Sequence, residues 1–169
     1  CDAELQAGGT TTLFAHRCVL ALGSPYFKAL FTTQLDDTCT LDMPATVFEA
    51  ALHWLYQGSC SVREEELVPL LEAAIFLQVI SLRDGIVAAI NERLSVDSAV
   101  GARALGARYG IPALVTAARL VCLRDFTELS DLGALTAEQL GELLDSDELT
   151  ADDEVTVFDK LTHWLAAQT

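Results

Sequence analysis

Histidine is the side chain most often used for proton transfer and zinc binding near neutral pH, and this sequence has three: His16, His53 and His163. They are 37 and 110 residues apart, and none is followed three or four positions later by a second metal-ligating side chain. The local spacing therefore offers no zinc site. His53 and His163 each precede a tryptophan in an apolar segment, which favours partly buried histidines, or histidines at the rim of the core, over metal ligands.

Carboxylates are the other candidates for catalysis, and they form four clusters. The clusters are residues 36–37, 64–66, 145–148 and 152–154. Three of them coincide with predicted helix starts or loops, where solvent and the helix dipole favour negative charge. The sequence has no EF-hand, no phosphate-binding glycine loop and no GxSxG motif. It therefore predicts no enzyme, no cofactor and no metal site, and leaves open a divergent enzyme that uses one acidic cluster.

Charge and composition exclude several other classes of function. The 169 residues include 25 acidic and 10 basic side chains, a formal net charge of -15 that disfavours binding to nucleic-acid phosphates. No apolar run approaches the roughly 20 residues that cross a bilayer. The five cysteines are scattered without a CxxC pair, which predicts free thiols in the cytoplasm or nucleus. The start CDAELQAGG lacks the regions of a signal peptide and has no methionine, so we expect a piece of a longer chain.

Strand character is confined to the first third of the sequence. Residues 3–7 alternate weakly, Gly8-Gly9 indicates a turn, and residues 10–14 are β-branched and aromatic. These segments predict a hairpin, and residues 39–43 predict a third short strand.

The sequence after Pro44 predicts helices, and its polar residues suggest where they begin. Ser61 with Glu64, Thr136 with Gln139 and, more weakly, Thr150 with Asp153 have the spacing of capping boxes. Residues 99–108 and 112–124 predict a helix pair separated by YGIP, a glycine stop and a proline start. Earlier in the chain, Ser24 before Pro25 also has the residue types of a helix N-cap. The expected fold class is α+β and mostly helical: a small sheet flanked by helices, then helical hairpins, with a boundary near residues 94–97.

Several stretches resemble known families. CDAELQAGG and TLFAHRCVLALGSPYFKALFTT (residues 1–9 and 12–33) resemble the start of a BTB (POZ) domain, and VFEAALHWLYQG and LLEAAIFLQVISLRDGIVAAI resemble its later helices. LGARYGIPALVTAARLVCLRDFTEL and LTAEQLGELLDSDELTADDEVTVFDKLTHWL resemble the BACK domain of Kelch-like proteins. The resemblance implies a BTB/POZ domain at residues 1–94 and the N-terminal part of a BACK domain at residues 95–169.

The resemblance also changes the interpretation of the His–Arg pair in FAHRCVLALGSPYFKALF. Asp2 and Arg17 match the acidic and basic positions of the family, which implies a structural ion pair. His16 is expected to support the turn from the hairpin into the first helix.

BTB–BACK proteins of the Kelch-like type act as substrate adaptors of cullin-3 ubiquitin ligases. The resemblance implies that the BTB domain binds the cullin N-terminal domain and forms a homodimer, and that a domain outside this chain captures the substrate protein. The family has a hydrophobic-x-Glu step after the second long helix; here QLDD places Leu35 at the hydrophobic position and Asp37 at that of the glutamate. The first helix pair of the BACK region is expected to extend the surface that faces the cullin. The residues expected to contact the cullin are Phe31, Thr33, Leu35, Asp36, Asp37 and Tyr109.

A second interpretation is a BTB scaffold, transcriptional or cytoskeletal, that does not bind cullin. The altered QLDD step favours it, because aspartate is one methylene shorter than glutamate. The BACK-like second half opposes it, since repressor-type BTB proteins usually lack that region.

Overall fold

A computed structural model describes residues 1–9, 11–33, 38–130, 132–151 and 153–167. The chain divides into two compact units, Cys1–Ala88 and Ala89–Thr169. The division falls inside helix α5 (Ile80–Glu92), so this helix contributes to both units. The sequence-based domain boundary at residues 94–97 lies just after this helix and stays a prediction.

The first unit is built on a three-stranded sheet of β1 (Ala3–Ala7), β2 (Thr11–Ala15) and β3 (Thr38–Leu41). The strand order is β2-β1-β3, with β1 antiparallel to β2 and parallel to β3. The predicted hairpin is confirmed, and the third strand begins one residue earlier than the sequence suggested. Alternate residues of β1 are buried, as expected for a strand with one face on the core.

Five helices complete the first unit and enclose its core. They are α1 (Arg17–Gly23), α2 (Pro25–Thr33), α3 (Ala45–Gln57), α4 (Leu67–Phe76) and α5, with a 3₁₀ turn at Glu64–Glu66 before α4. The largest apolar side chains that are fully buried here are Leu5, Leu20, Phe27, Phe48, Leu70, Leu71, Leu77 and Leu82. The core is therefore formed by the middle strand and by all five helices.

Ser24, between α1 and α2, links these helices to the end of α4. Its buried hydroxyl donates to the carbonyl oxygen of Leu77 at 2.6 Å and accepts from the backbone N–H of Phe27 at 3.3 Å. Pro25 is the first residue of α2, so the predicted N-cap is confirmed. The hydroxyl also satisfies a carbonyl at the C-terminal end of α4, which the sequence did not predict.

The capping box predicted at Ser61 and Glu64 is wrong. The 3₁₀ turn begins at Glu64, and the carboxylate of Glu66 accepts from the backbone N–H and the guanidinium of Arg63, at 3.1 and 2.8 Å. The turn therefore starts two residues later than expected. Three successive glutamates give each register an acidic side chain, so the spacing rule could not distinguish them.

The second unit begins with a tight helix pair, α6 (Val96–Tyr109) and α7 (Pro112–Arg124). Gly110 ends α6 in the left-handed conformation, with φ of 62°, and Pro112 starts α7, as YGIP predicted. The helices approach closely at Gly106, where an added Cβ would lie 2.9 Å from the backbone nitrogen of Val115. Glycine is required here because no side chain fits between the two backbones.

The rest of the second unit is a 3₁₀ turn (Phe126–Glu128), α8 (Ala137–Leu144) and α9 (Glu154–Ala167). The capping box of Thr136 and Gln139 is confirmed, with hydrogen bonds of 3.2 and 3.0 Å. The capping box predicted at Thr150 and Asp153 is wrong, because Asp153 itself caps α9 by accepting from the N–H of Thr156 at 2.6 Å. The N–H of Thr150 donates instead to the carbonyl of Leu123. The buried core of this unit is Ala99, Val100, Cys122, Leu123, Phe126, Leu129, Leu132, Leu135, Leu140 and Leu143.

Candidate partner-binding site

Asp2 holds the start of the chain against the beginning of α1. Its carboxylate oxygen Oδ1 accepts from the backbone N–H of Arg17 at 2.9 Å, and its own N–H donates to the carbonyl of Ala15 at 3.1 Å. The hydrogen bond from the Arg17 N–H lowers the pKa of Asp2 below its usual value. Asp2 is thus an N-terminal cap for α1, and the side-chain ion pair implied by the resemblance stays a prediction.

The side chain of Arg17 reaches the C-terminal end of α2. Its guanidinium lies over the ring of Phe31, 4.6 Å from the centroid, and its Nη2 donates to the Phe31 carbonyl at 3.5 Å. The Phe31 ring in turn stacks on Phe27, with centroids 5.7 Å apart. Both the face of the aromatic ring and the negative end of the helix dipole attract a cation at this position. Arg17 therefore fixes the end of α2, the point from which the predicted cullin motif continues.

His16 occupies the N-cap position of α1 and connects it to α3. Its backbone N–H donates to the hydroxyl of Tyr56 at 2.8 Å, and its ring Nδ1 lies 2.9 Å from the same oxygen. Tyr56 is an exposed residue near the end of α3. The histidine is thus engaged by a neighbouring helix, in keeping with a supporting role at the turn.

The end of α2 carries two of the residues expected to contact a partner. Phe31 is half-buried, and Thr33 is exposed with its hydroxyl donating to the carbonyls of Ala29 and Leu30, both at 3.1 Å. The next predicted contacts, Leu35, Asp36 and Asp37, lie outside the described residues. Their role as a cullin anchor stays a prediction.

Tyr109, the remaining predicted contact, belongs to the second unit. It is the last residue of α6 and is half-buried, with the guanidinium of Arg108 lying 5.1 Å from its ring centroid. The arrangement leaves part of the ring accessible, which a contact residue requires.

The first unit also exposes large apolar residues that sequence reasoning missed. Leu22 on α1 is 88% exposed and Phe14 on β2 is 65% exposed. Phe76 and Ile80 are also exposed, and the ring centroids of Tyr26 and Phe76 lie 4.8 Å apart. Large apolar side chains that remain this exposed are candidate contacts for other proteins. The available signal was the nearly continuous apolar sequence of α1, since a surface helix needs only one apolar face.

The structure gives the histidines outside this region local roles. Nδ1 of His53 lies 2.7 Å from the carbonyl of Ser59, and Nδ1 of His163 lies 2.8 Å from the carbonyl of Asp159. Within residues 1–9, 11–33, 38–130, 132–151 and 153–167, no group of three or more His, Cys, Asp or Glu could hold a metal ion. In the same part of the chain, none of the helices has the length and apolar character needed to span a membrane.

Comparison with known families agrees with this architecture. The model of the BTB/POZ domain matches residues 1–94, and the model of the BACK domain (BTB And C-terminal Kelch) matches residues 99–169. The chain belongs to the BTB–BACK family of the Kelch-like type. Proteins of this type generally lack catalytic activity, their BTB domains generally dimerise, and they bind cullin-3.

Individual relatives support the same assignment. The chain is 31% identical to Kelch-like protein 25 of Xenopus laevis and 30% identical to that of Xenopus tropicalis, over 97% of its own length in both cases. It spans only 29% of the length of these two relatives. Among solved structures, the BTB domain of zebrafish PATZ1 has a TM-score of 0.51 at 29% identity, covering 54% of this chain and 76% of that one. The predicted α+β, mostly helical BTB–BACK fold is therefore confirmed.

Proposed function

We propose that this chain is the cullin-binding and dimerising part of a substrate adaptor for a cullin-3 ubiquitin ligase. The observation that carries the proposal is the family match: a BTB domain and a BACK domain in one chain, aligned with a Kelch-like relative over 97% of its length. The chain spans 29% of that relative, so the substrate-binding region is assigned to sequence outside it.

The mechanism of such an adaptor is positional, and the chain itself carries out no chemical step. One surface holds the cullin, and a further domain holds the substrate protein. Tethering both in one assembly raises the effective concentration of the substrate near the ubiquitin-loaded ligase. A chain without catalytic residues can therefore determine which protein is modified.

The cullin contact is assigned to the end of α2 and the residues that follow it. Phe31 and Thr33 precede Leu35, the proposed apolar anchor, in the sequence, and Asp37 is the acidic residue two positions after Leu35. Contacts of this kind often depend on one apolar residue surrounded by polar groups. The formal charge of -15 favours a partner with a basic surface and accelerates the encounter.

Dimerisation is assigned to a different surface of the same unit. Leu22 and Phe14 are large, apolar and highly exposed, and neither belongs to the predicted cullin contact. Burying such residues against a second copy would remove apolar surface from water. For an adaptor of this kind we also propose a cytoplasmic or nuclear location, in keeping with five cysteines that are all free thiols.

The test is a calorimetric titration of the chain with the N-terminal domain of cullin-3. Leu35→Asp should weaken binding at least about thirtyfold, because it places a charge at an apolar hot spot. Leu22→Asp is the matched control: the same change at an exposed position of the same unit should leave cullin affinity unchanged and reduce the dimer fraction in light scattering. Absence of binding by the folded wild-type chain would reject the proposal, and binding unaffected by Leu35→Asp would reject the anchor.

A second candidate function is a BTB scaffold that assembles proteins without a cullin. The specific observation that favours it is Asp37, which stands where the family has glutamate. In that case the titration would show a folded, dimeric chain without cullin binding, and Leu22→Asp would still dissociate the dimer.

A further inference from the structure

The second unit has a recess that the adaptor proposal does not use. Its volume is about 460 Å³, and it is lined by the segment after α7 and by one face of α9. This volume lies in the range of pockets that bind small molecules or short peptide segments. The side chains on its walls include Lys160, Trp164 and three hydroxyl groups.

Lys160 gives the recess a positive charge. Its Nζ donates to the carbonyl oxygen of Leu129 at 2.5 Å, which leaves two of its three N–H donors. Five arginines are paired with carboxylates, yet across the described ranges no ion pair is formed by Lys160. The chain has 25 acidic and 10 basic residues, so a half-buried ammonium without such a partner is unusual here. Partial burial of an uncompensated charge is costly, and an anionic group in the recess would offset that cost.

Hydroxyl groups supply further hydrogen-bond donors around the ammonium. The side chains of Thr127, Ser130 and Thr156 line the recess. The Thr156 hydroxyl is hydrogen-bonded to Asp153, whereas those of Thr127 and Ser130 make no hydrogen bond to any other described residue. A hydroxyl can donate to either oxygen of a carboxylate. The recess thus combines one cation with two available neutral donors, a suitable environment for a single negative charge.

The remaining walls are apolar. The indole N–H of Trp164 donates to the carbonyl of Leu135 at 3.2 Å, so the ring presents only its apolar surface to the recess. Leu129 and Leu132 complete this side. We propose that the recess binds a carboxylate-bearing ligand, with the carboxylate on Lys160 and an apolar or aromatic part against Trp164.

Negative charge at the recess favours a ligand with a single negative charge. Asp159 also lines the recess, and the whole chain has a net charge of -15. At physiological ionic strength charges are screened beyond about 8 Å, so the groups within the recess dominate. Replacement of the nearby carboxylate in Asp159→Asn should therefore tighten binding of an anion.

The chain has only two tryptophans and two lysines, which allows a direct test. The full chain, labelled with ¹⁵N at the indole nitrogens, is titrated with benzoate. The Trp164 signal should shift and saturate at millimolar benzoate, whereas the signal of Trp54, bonded to Ser81 in the first unit, should not move. Benzamide has the same shape without the charge and should bind at least about tenfold more weakly, as expected for loss of a charged hydrogen bond.

Substitutions assign the effect to the ammonium. Lys160→Met removes the charge but keeps an aliphatic side chain, and it should weaken benzoate binding at least about tenfold; Lys160→Arg keeps a charged donor and should retain binding. Lys28→Met, at the other lysine, is exposed on α2 and should change nothing. Equal affinity for benzoate and benzamide, no saturable Trp164 shift, or benzoate binding unaffected by Lys160→Met would each overturn the proposal. None of these outcomes depends on cullin binding.

Discussion

The guanidinium of Arg103 is almost completely buried, yet its one ion-pair partner lies at the surface. Arg103 on α6 is 1% exposed, and its Nη2 lies 2.6 Å from Oε2 of Glu142 on α8, whose side chain is 58% exposed. Its Nε and Nη1 are buried and have no hydrogen-bond partner among the residues that the structure describes. A buried charge thus depends on a single carboxylate, and that contact ties α8 to the helix pair.

Glu142→Ala should destabilise the second unit by about 2–3 kcal/mol, because it leaves a buried cation unpaired. The loss is smaller than for a fully buried ion pair, because water reaches the Glu142 carboxylate. Urea unfolding followed by the ¹⁵N-indole signal of Trp164 measures the change. Glu148→Ala, which removes the carboxylate 3.5 Å from Arg119, is the control and should cost less than about 1 kcal/mol. If the unpaired cation is the cause, Arg103→Met with Glu142→Ala should be more stable than Glu142→Ala alone.

Two glycines of α6 should respond to alanine with opposite signs. Gly106→Ala places a methyl group 2.9 Å from the Val115 backbone and should destabilise the unit by about 1–3 kcal/mol. Gly101 has nothing within 4 Å of the added Cβ, so Gly101→Ala should stabilise the helix by about 0.5–1 kcal/mol. Unfolding midpoints in urea distinguish the two. A neutral Gly106→Ala would contradict the close approach of α6 and α7, and a destabilising Gly101→Ala would contradict the open space around Gly101.

Ser24→Ala should destabilise the first unit by about 2–3 kcal/mol, because it removes the cap of α2 and leaves the Leu77 carbonyl without its buried donor. The ¹⁵N-indole signal of Trp54 in urea reports this unit. Ser61→Ala is the matched control, since Ser61 is exposed and lies before the turn; its effect should stay within about 0.5 kcal/mol. A larger loss of stability for Ser61→Ala would indicate that Ser61 does cap the helix, contrary to the structure.

Acid should weaken the attachment of the first strand through Asp2. The pKa of this carboxyl lies below its ordinary value of 3.8 because it accepts the Arg17 N–H, so folding favours the ionised form. Its contribution is complete above pH 3.8 and is lost as the pH falls through the lower, folded-state pKa. Carboxyl NMR titration should locate that pKa below 3.8, and Asp2→Asn should remove this part of the acid dependence of stability. A pKa of Asp2 at or above the ordinary value of 3.8 would contradict its hydrogen bond to the Arg17 N–H.

Asp37→Glu should tighten cullin binding, because it restores the methylene that the family has at this position. The expected gain is about threefold to tenfold, the effect of improving one hydrogen bond. Asp36→Glu, the same change one residue earlier, should leave the affinity unchanged. Calorimetry with the cullin-3 N-terminal domain measures both. An equal gain from both variants would indicate a general effect of side-chain length and reject the specific role of residue 37.

The elements that the sequence predicted well have strong local signals. Gly8-Gly9, between a weakly alternating segment and a β-branched one, defined the hairpin, and YGIP defined the connection between α6 and α7. Both depend on backbone conformations that few residues adopt readily, so local sequence is sufficient. The Thr136–Gln139 cap was equally clear, because no neighbouring pair of residues has the same types at the same spacing.

The features that escaped prediction depend on contacts between distant residues. Arg103 and Glu142 are 39 residues apart, and no local pattern distinguishes them from other charged residues. The Ser24–Leu77 hydrogen bond joins residues 53 apart, so only its helix-capping half was predictable. For the candidate site, the family resemblance supplied Phe31, Thr33 and Tyr109, whereas the exposure of Phe14 and Leu22 required the packing of β2 and α1.

The position of β1 between its two partners has a consequence for the order of folding. Its pairing with β2 joins residues as close as Ala7 and Thr11, whereas its pairing with β3 joins residues such as Glu4 and Thr38. Closing the longer loop costs more chain entropy and is slower, so the hairpin should form first and serve as a template. Until β3 has paired, the second edge of β1 is open to pairing with another chain. The interval between hairpin formation and arrival of β3 is therefore the period in which the nascent chain is most exposed to aggregation.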